Sequence, residues 1–161
     1  MDEITQALFA ASRQGNVPVL KEIFNLHSNL NVQNEQGHTP LIIAAYNGQG
    51  DAVAALLDAG ADIDAADPGG NTALMGAAFK GYPEIVELLA DRGANLNAQH
   101  GNGGTALMFA AMFGRNDVLR LLLEYGADAD LKDAKGWTAG DLALQQNNIA
   151  GAELLQAAMQ R

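Results

Sequence analysis

A step of 33 residues governs this chain. Thr39, Thr72, Thr105 and Thr138 are separated by it, and so are Gly37, Gly70, Gly103 and Gly136. Gly48, Gly81 and Gly114 keep the same step, as do Gly60, Gly93 and Gly126, each of these three followed by Ala and then Asp or Asn. Four independent positions in one register mean a copied structural unit. A unit this short cannot bury its own apolar face, so the copies must pack on one another.

The local signals inside one copy are helical. Thr39-Pro40 reads as an N-cap followed by proline at the first helical position. A first helix is predicted through LIIAAYN, ending near Gly48. A second is predicted over about Asp51 to Ala59, with Val53, Leu56 and Leu57 at helical spacing on one face. Gly60 stands where a left-handed residue closes a helix, and residues 61–70 are rich in Gly, Asp and Pro, the composition of a turn-forming loop. The expected unit is helix, turn, helix, projecting loop, and the expected fold class is an all-α solenoid.

These units resemble the ankyrin repeat. The stretches that carry the resemblance are GHTPLIIAAYNGQGDAVAALLDAGADIDAAD, GNTALMGAAFKGYPEIVELLADRGANLNAQH and GGTALMFAAMFGRNDVLRLLLEYGADADLKD. Five units are expected in one domain spanning 1–161: an N-terminal cap at 4–36, full repeats at 37–69, 70–102 and 103–135, and a C-terminal cap at 136–161. In the first, Ala10, Ala11 and Gly15 fall in register and Val19, Leu20, Ile23 and Phe24 form the second helix's apolar face; the Thr-Pro start is missing and His27 replaces the terminal glycine. The last keeps GWT, Leu154 and Leu155 but reads TAGDLALQQNN where a middle unit is apolar. Atypical ends are what an array with water beyond its terminal repeats requires, so a complete, monomeric array is expected.

The resemblance also exposes a departure. The family's usual Thr-Pro-Leu-His places a histidine that links neighbouring repeats, whereas here the position holds Ile42, Met75, Met108 and Asp141. Methionine fills irregular apolar gaps, so Met75 and Met108 are expected in the core between repeats, beside Leu107, Ala110 and Ala111. In the family, the two residues before the mid-repeat glycine line a concave face where partner proteins bind. The resemblance therefore implies a partner-binding role for Tyr46 and Asn47, Phe79 and Lys80, and Met112 and Phe113, with Phe109 one turn earlier. Loop tips on the same side add His38, Asn71, Asn102, Lys135 and Trp137. Aromatic residues and methionine suit an interface core. The same rings could instead fold back over the alanine-rich helices, and the sequence leaves both arrangements open.

Composition narrows the partner. With 161 residues, 48 % apolar and 17 % charged, the chain has the makeup of one globular domain. A formal net charge of −10 argues against a nucleic-acid backbone or an anionic membrane surface. No apolar run approaches the roughly 20 residues that span a bilayer, and MDEITQALFAASRQG lacks the apolar stretch of a signal peptide. A cytoplasmic location is expected, with a periplasmic or secreted one as the alternative if a leader has been removed.

Chemistry finds no foothold. No cysteine is present, so disulfides and thiolate sites are absent. PGGNT and HGNGGT lack the spacing and lysine of a phosphate-binding loop. Asp62, Asp64 and Asp67, like Asp128, Asp130 and Asp133, lack the glycine and the terminal glutamate of a calcium loop. His27, His38 and His100 fall in different units, and the only serines, Ser12 and Ser28, have no triad around them. The reading is a non-enzymatic module, without metal or cofactor, that binds another protein. A basic partner on the acidic surface is the rival, and an enzyme or small-molecule binder is more remote.

Overall fold

The computed structural model describes residues 1–26 and 29–160. His27 and Ser28, read from sequence as an atypical repeat end and a lone serine, lie outside the described residues. The described chain is helical throughout, in five pairs: α1 (Glu3–Gln14) with α2 (Val17–Phe24), α3 (Pro40–Tyr46) with α4 (Gly50–Asp58), α5 (Ala73–Lys80) with α6 (Pro83–Asp91), α7 (Ala106–Met112) with α8 (Asn116–Glu124), and α9 (Ala139–Gln145) with α10 (Ile149–Met159). It divides into two compact units, residues 1–73 and 74–161.

Three of the threonines that mark the period, Thr39, Thr105 and Thr138, are helix caps. Thr39 and Thr105 accept hydrogen bonds at Oγ1 from the backbone N–H of Ile42 and Met108, each at 3.2 Å. Thr138 does the same for Asp141, whose carboxylate returns a bond to the Thr138 N–H at 3.0 Å, a full capping box. Gly60, Gly93 and Gly126 follow the second helices at φ of 99°, 86° and 92°, the left-handed geometry expected of them.

Helices of two turns are marginal in isolation, since below about 12–15 residues nucleation outweighs propagation. Packing holds them. In residues 1–73, α1 packs on α2 and α3, and α4 packs on α2 and α3. In residues 74–161, α8 packs on α6, α7 and α10, and α9 packs on α7 and α10. Ala44, Ala45, Ala110 and Ala111 are wholly buried, which lets first helices approach closely. Leu56 in residues 1–73, and Leu89, Leu119 and Leu122 in residues 74–161, have no exposed surface. Met75 and Met108 are 3 % and 2 % exposed and Ile42 is buried as well. Where the family's histidine would make a polar link, this chain packs apolar volume.

Polar rungs fix the spacing of successive repeats. In residues 1–73, Asn31 Oδ1 accepts from the Asp62 N–H at 2.8 Å, and Gln49 Nε2 donates to the Arg13 carbonyl at 3.0 Å. In residues 74–161, Asn97 Oδ1 accepts from the Asp128 N–H at 2.9 Å. There Gln99 Nε2 reaches the Lys132 carbonyl at 3.1 Å, and Asn148 Nδ2 the Ala111 carbonyl at 3.0 Å. Each such bond contributes only about 1 kcal/mol net; the Asn31 and Asn97 bonds repeat one another, both spanning 31 residues. No buried side-chain polar atom among the described residues lacks a partner.

The last pair departs from the others. Leu144 stands one period after Ala111, yet it is 58 % exposed. Asp141 in the first turn of α9 and Gln145 and Gln146 at its end are exposed too, so Leu144 is an apolar residue on a wet helix.

Candidate interaction surface

The loop tips are built alike. The backbone N–H groups of Asn34, Asp67, His100 and Asp133 donate to the carbonyls of His38, Asn71, Gly104 and Trp137 at 2.9–3.0 Å. These donors are again 33 apart. In each tip the side chain of that first residue also caps the turn. Asn34 Oδ1 accepts from the N–H groups of Gln36 and His38, both at 3.0 Å. Asp67 Oδ1 accepts from Asn71 N–H at 2.8 Å, and Asp133 Oδ1 from the N–H groups of Lys135 and Trp137 at 2.9 and 3.0 Å. The turn is thus closed by side chain as well as backbone, and its tip is presented rigidly.

In residues 1–73 the tips bring two of the sequence-predicted residues together. His38 Nε2 lies 3.5 Å from Asp67 Oδ2, and Asn71 Nδ2 lies 3.3 Å from both Asp67 oxygens. Asp67 organises this pair and sequence reading had given it no role; the 33-residue step linking it to Asn34 and Asp133 is the signal that finds it. Tyr46, at the end of α3, is 45 % exposed. Asn47 has turned back: its Nδ2 donates to the Ile43 carbonyl at 2.8 Å, so one of its amide protons satisfies the helix end.

In residues 74–161 the rings pair off. Phe79 and Phe113 meet edge to face, centroids 4.8 Å apart at 73°. Phe109, one turn before Phe113 on the same helix, stacks on the His100 imidazole at 5.2 Å and 25°. Both geometries are favourable for aromatic pairs. Phe113 is 45 % exposed, while Phe79, Phe109 and Met112 are half-buried. Four rings therefore run along one edge of α7, partly covering the alanine-rich helix and partly open.

His100 had no place in the predicted surface. It stands where the other tips carry Asn or Asp, and its Nδ1 accepts the Asn102 N–H at 3.2 Å. The swap is matched at Gly104, which replaces the larger His38, Asn71 and Trp137 of the other tips. A Cβ there would sit 2.7 Å from His100 Cδ2, so a larger residue would push the ring out of this position. Arg115 is also new: its Nε donates to the Phe79 carbonyl at 3.1 Å and pins the end of α5. Asn102 accepts from the Ala134 N–H at 2.8 Å, tying its loop to the one that carries Lys135 and Trp137. Trp137 is 38 % exposed, and Lys135 is exposed too.

Among the described residues, one ionisable group is strongly perturbed, and it is none of these rings. The Tyr125 phenol donates to Asp91 Oδ1. That bond, aided by the negative charges of Asp91, Glu87 and Glu124, pushes its pKa up to about 12. The neutral phenol is the favoured form, so this contact supports the fold up to about pH 10, the ordinary tyrosine value. The support is then lost as pH rises towards 12. In an ultraviolet titration, one of the three tyrosines is expected to ionise near pH 12, and Asp91→Asn should bring it down. An unchanged titration in that variant would break the assignment.

Among the described residues, no group of three His, Asp or Glu side chains could hold a metal, and no helix is long and apolar enough to cross a membrane. A description of ankyrin repeats (three copies) matches residues 8–100, and a second (many copies) matches residues 89–143. No curated protein matches the chain. Ankyrin repeats are generally protein–protein interaction modules. With capped helix pairs at a 33-residue step and the first match covering more than half of its length, this chain belongs to the ankyrin-repeat family.

Proposed function

We propose that this protein is a cytoplasmic, monomeric, non-enzymatic module that binds a partner protein through its first-helix ends and loop tips. The contact residues are Tyr46, Phe79, Lys80, Phe109, Met112 and Phe113 on the helices, with His38, Asn71, Asn102, Lys135 and Trp137 on the tips. Asn47 contributes through its unused carbonyl side. The observation that carries this reading is the ring series His100, Phe109, Phe113 and Phe79, half-buried apart from the exposed Phe113, along one edge of a helix whose other side is fully buried. Exposed aromatic surface on a rigid scaffold loses little conformational freedom on binding, and contiguous apolar patches mark partner sites.

A photo-reactive phenylalanine analogue placed at Phe113 tests it against the same analogue at Arg120, which is exposed on α8. In lysate, the Phe113 probe should cross-link one partner and the Arg120 probe should not. Cross-linking only from Arg120 would move the contact to the acidic second-helix side and favour a basic partner.

A further inference from the structure

We infer that His100 is a positioning residue of the docking surface: its ring fixes Phe109 and ties the loop tip 100–104 to α7. The inference rests on reading this edge as the docking surface and assigns the residue that holds it in shape.

Three departures from the 33-residue step meet in one repeat. His100 stands where the other tips carry Asn34, Asp67 and Asp133. Gly104 stands where they carry His38, Asn71 and Trp137, and Phe109 where the other first helices carry Ile43, Gly76 and Leu142. The three fit one another. The imidazole stacks on Phe109 at 5.2 Å and 25°. A Cβ on Gly104 would have imidazole atoms as its three nearest neighbours, with Nε2 at 2.5 Å. Independent changes would fall in different repeats; these three make one feature.

Tip closure does not explain it. His100 Nδ1 accepts the Asn102 N–H at 3.2 Å. Asn34 and Asp133 make the same bond to the N–H two residues on, at 3.0 and 2.9 Å. An amide or a carboxylate therefore closes a tip as well as an imidazole does. What the ring adds is a flat face against Phe109, reaching from the tip to α7. Phe109 lies one turn before Phe113, whose ring meets Phe79. A stacked Phe109 keeps its place before binding, so less freedom is lost when a partner arrives.

Two exchanges in the full chain separate ring from acceptor. His100→Asn keeps an acceptor like that of Asn34 and removes the stack. His100→Phe keeps a ring and removes the acceptor. The probe is a displayed library of random peptides, selected on the parent and kept only where Phe113→Ser abolishes retention. With each variant shown folded by circular dichroism, His100→Asn should weaken these peptides by about tenfold, the upper reach of one aromatic pair. The ring-proton shifts of Phe109 should move with it, while the Asn102 amide keeps its exchange rate. His100→Phe should retain the peptides and speed exchange at Asn102. Gly104→Asn should lower the urea midpoint, and adding His100→Asp should restore it, because the closest conflicts are with the ring. Should His100→Asn fail to fold, that pair, which carries the end residues of the tip 67–71, reads the same loss of binding. Peptides held equally by the parent and His100→Asn would leave His100 a tip cap only, with the docking surface standing. Equal losses in His100→Asn and His100→Phe would also overturn the positioning role. If no selected peptide depends on Phe113, the docking surface itself falls, and the role of His100 with it.

Discussion

Gly103→Val is expected to destabilise residues 74–161 by about 3–5 kcal/mol, beyond the cost of Gly93→Val, because strain and steric conflict add at the first site and only strain acts at the second. Both glycines have positive φ, 82° and 86°, a region that a β-branched residue enters only as an outlier. Around Gly93 a Cβ would meet no atom within 4 Å. Its cost is therefore backbone strain alone, about 1–3 kcal/mol. At Gly103 a Cβ would lie 2.9 Å from Ala134 N and 3.0 Å from Asp133 Cα. These are backbone atoms, which cannot turn aside as a side-chain tip can. Relieving the conflict means stretching the 2.8 Å bond from Ala134 N–H to the Asn102 carbonyl, the tie between two neighbouring tips. Urea midpoints, with amide exchange at Ala134 as the local readout, separate the two variants. Equal midpoints would mean that the tips are not in close contact. A Gly93 variant as stable as the parent would remove the left-handed helix end.

How far the sequence reaches is set by which features repeat. Thr39, Thr105 and Thr138 were legible because a cap needs one residue type at one offset. The glycines after α4, α6 and α8 were legible because positive φ has few solutions. Met75 and Met108 were legible as core because apolar periodicity survives the loss of the family's histidine. The ring contacts were not. Whether Phe79 folds over the helix or stands in water depends on the ring it meets in the next repeat, and that ring, Phe113, is the copy of Lys80, while the copy of Phe79 itself is Met112. The outcome lies between the two arrangements weighed from sequence: Phe113 open, Phe79, Phe109 and Met112 half-covered. His100 escaped for the opposite reason. It occupies a repeated position with an unrepeated residue, and its meaning depends on Gly104 and on Phe109, neither of which the period marks. Arg115 and the turned-back Asn47 act through side-chain torsions that no spacing records.

Phe79→Ser combined with Phe113→Ser is expected to weaken partner binding by at least about a hundredfold, while the array stays folded. Buried interface anchors often contribute about 2 kcal/mol or more each, and each 1.4 kcal/mol is a factor of about ten. Two rings in contact are not independent, which is why the expected loss is set below the full sum. The stability cost is smaller and has two parts. The edge-to-face contact at 4.8 Å is worth about 0.5–1.5 kcal/mol beyond area. The remainder is the fraction of Phe79 that is covered, since Phe113 is already 45 % exposed. A total of about 1–3 kcal/mol lowers the melting temperature by roughly 2–12 °C at this size. Thermal melts therefore come first, followed by affinity for the partner that the Phe113 probe captures. A fall of more than about 15 °C would show the rings to be structural cover, with binding loss a consequence of unfolding. Unchanged affinity in a folded double variant would place the partner on another face, and the exposed carboxylates of α6 and α8 would then be the surface to mutate.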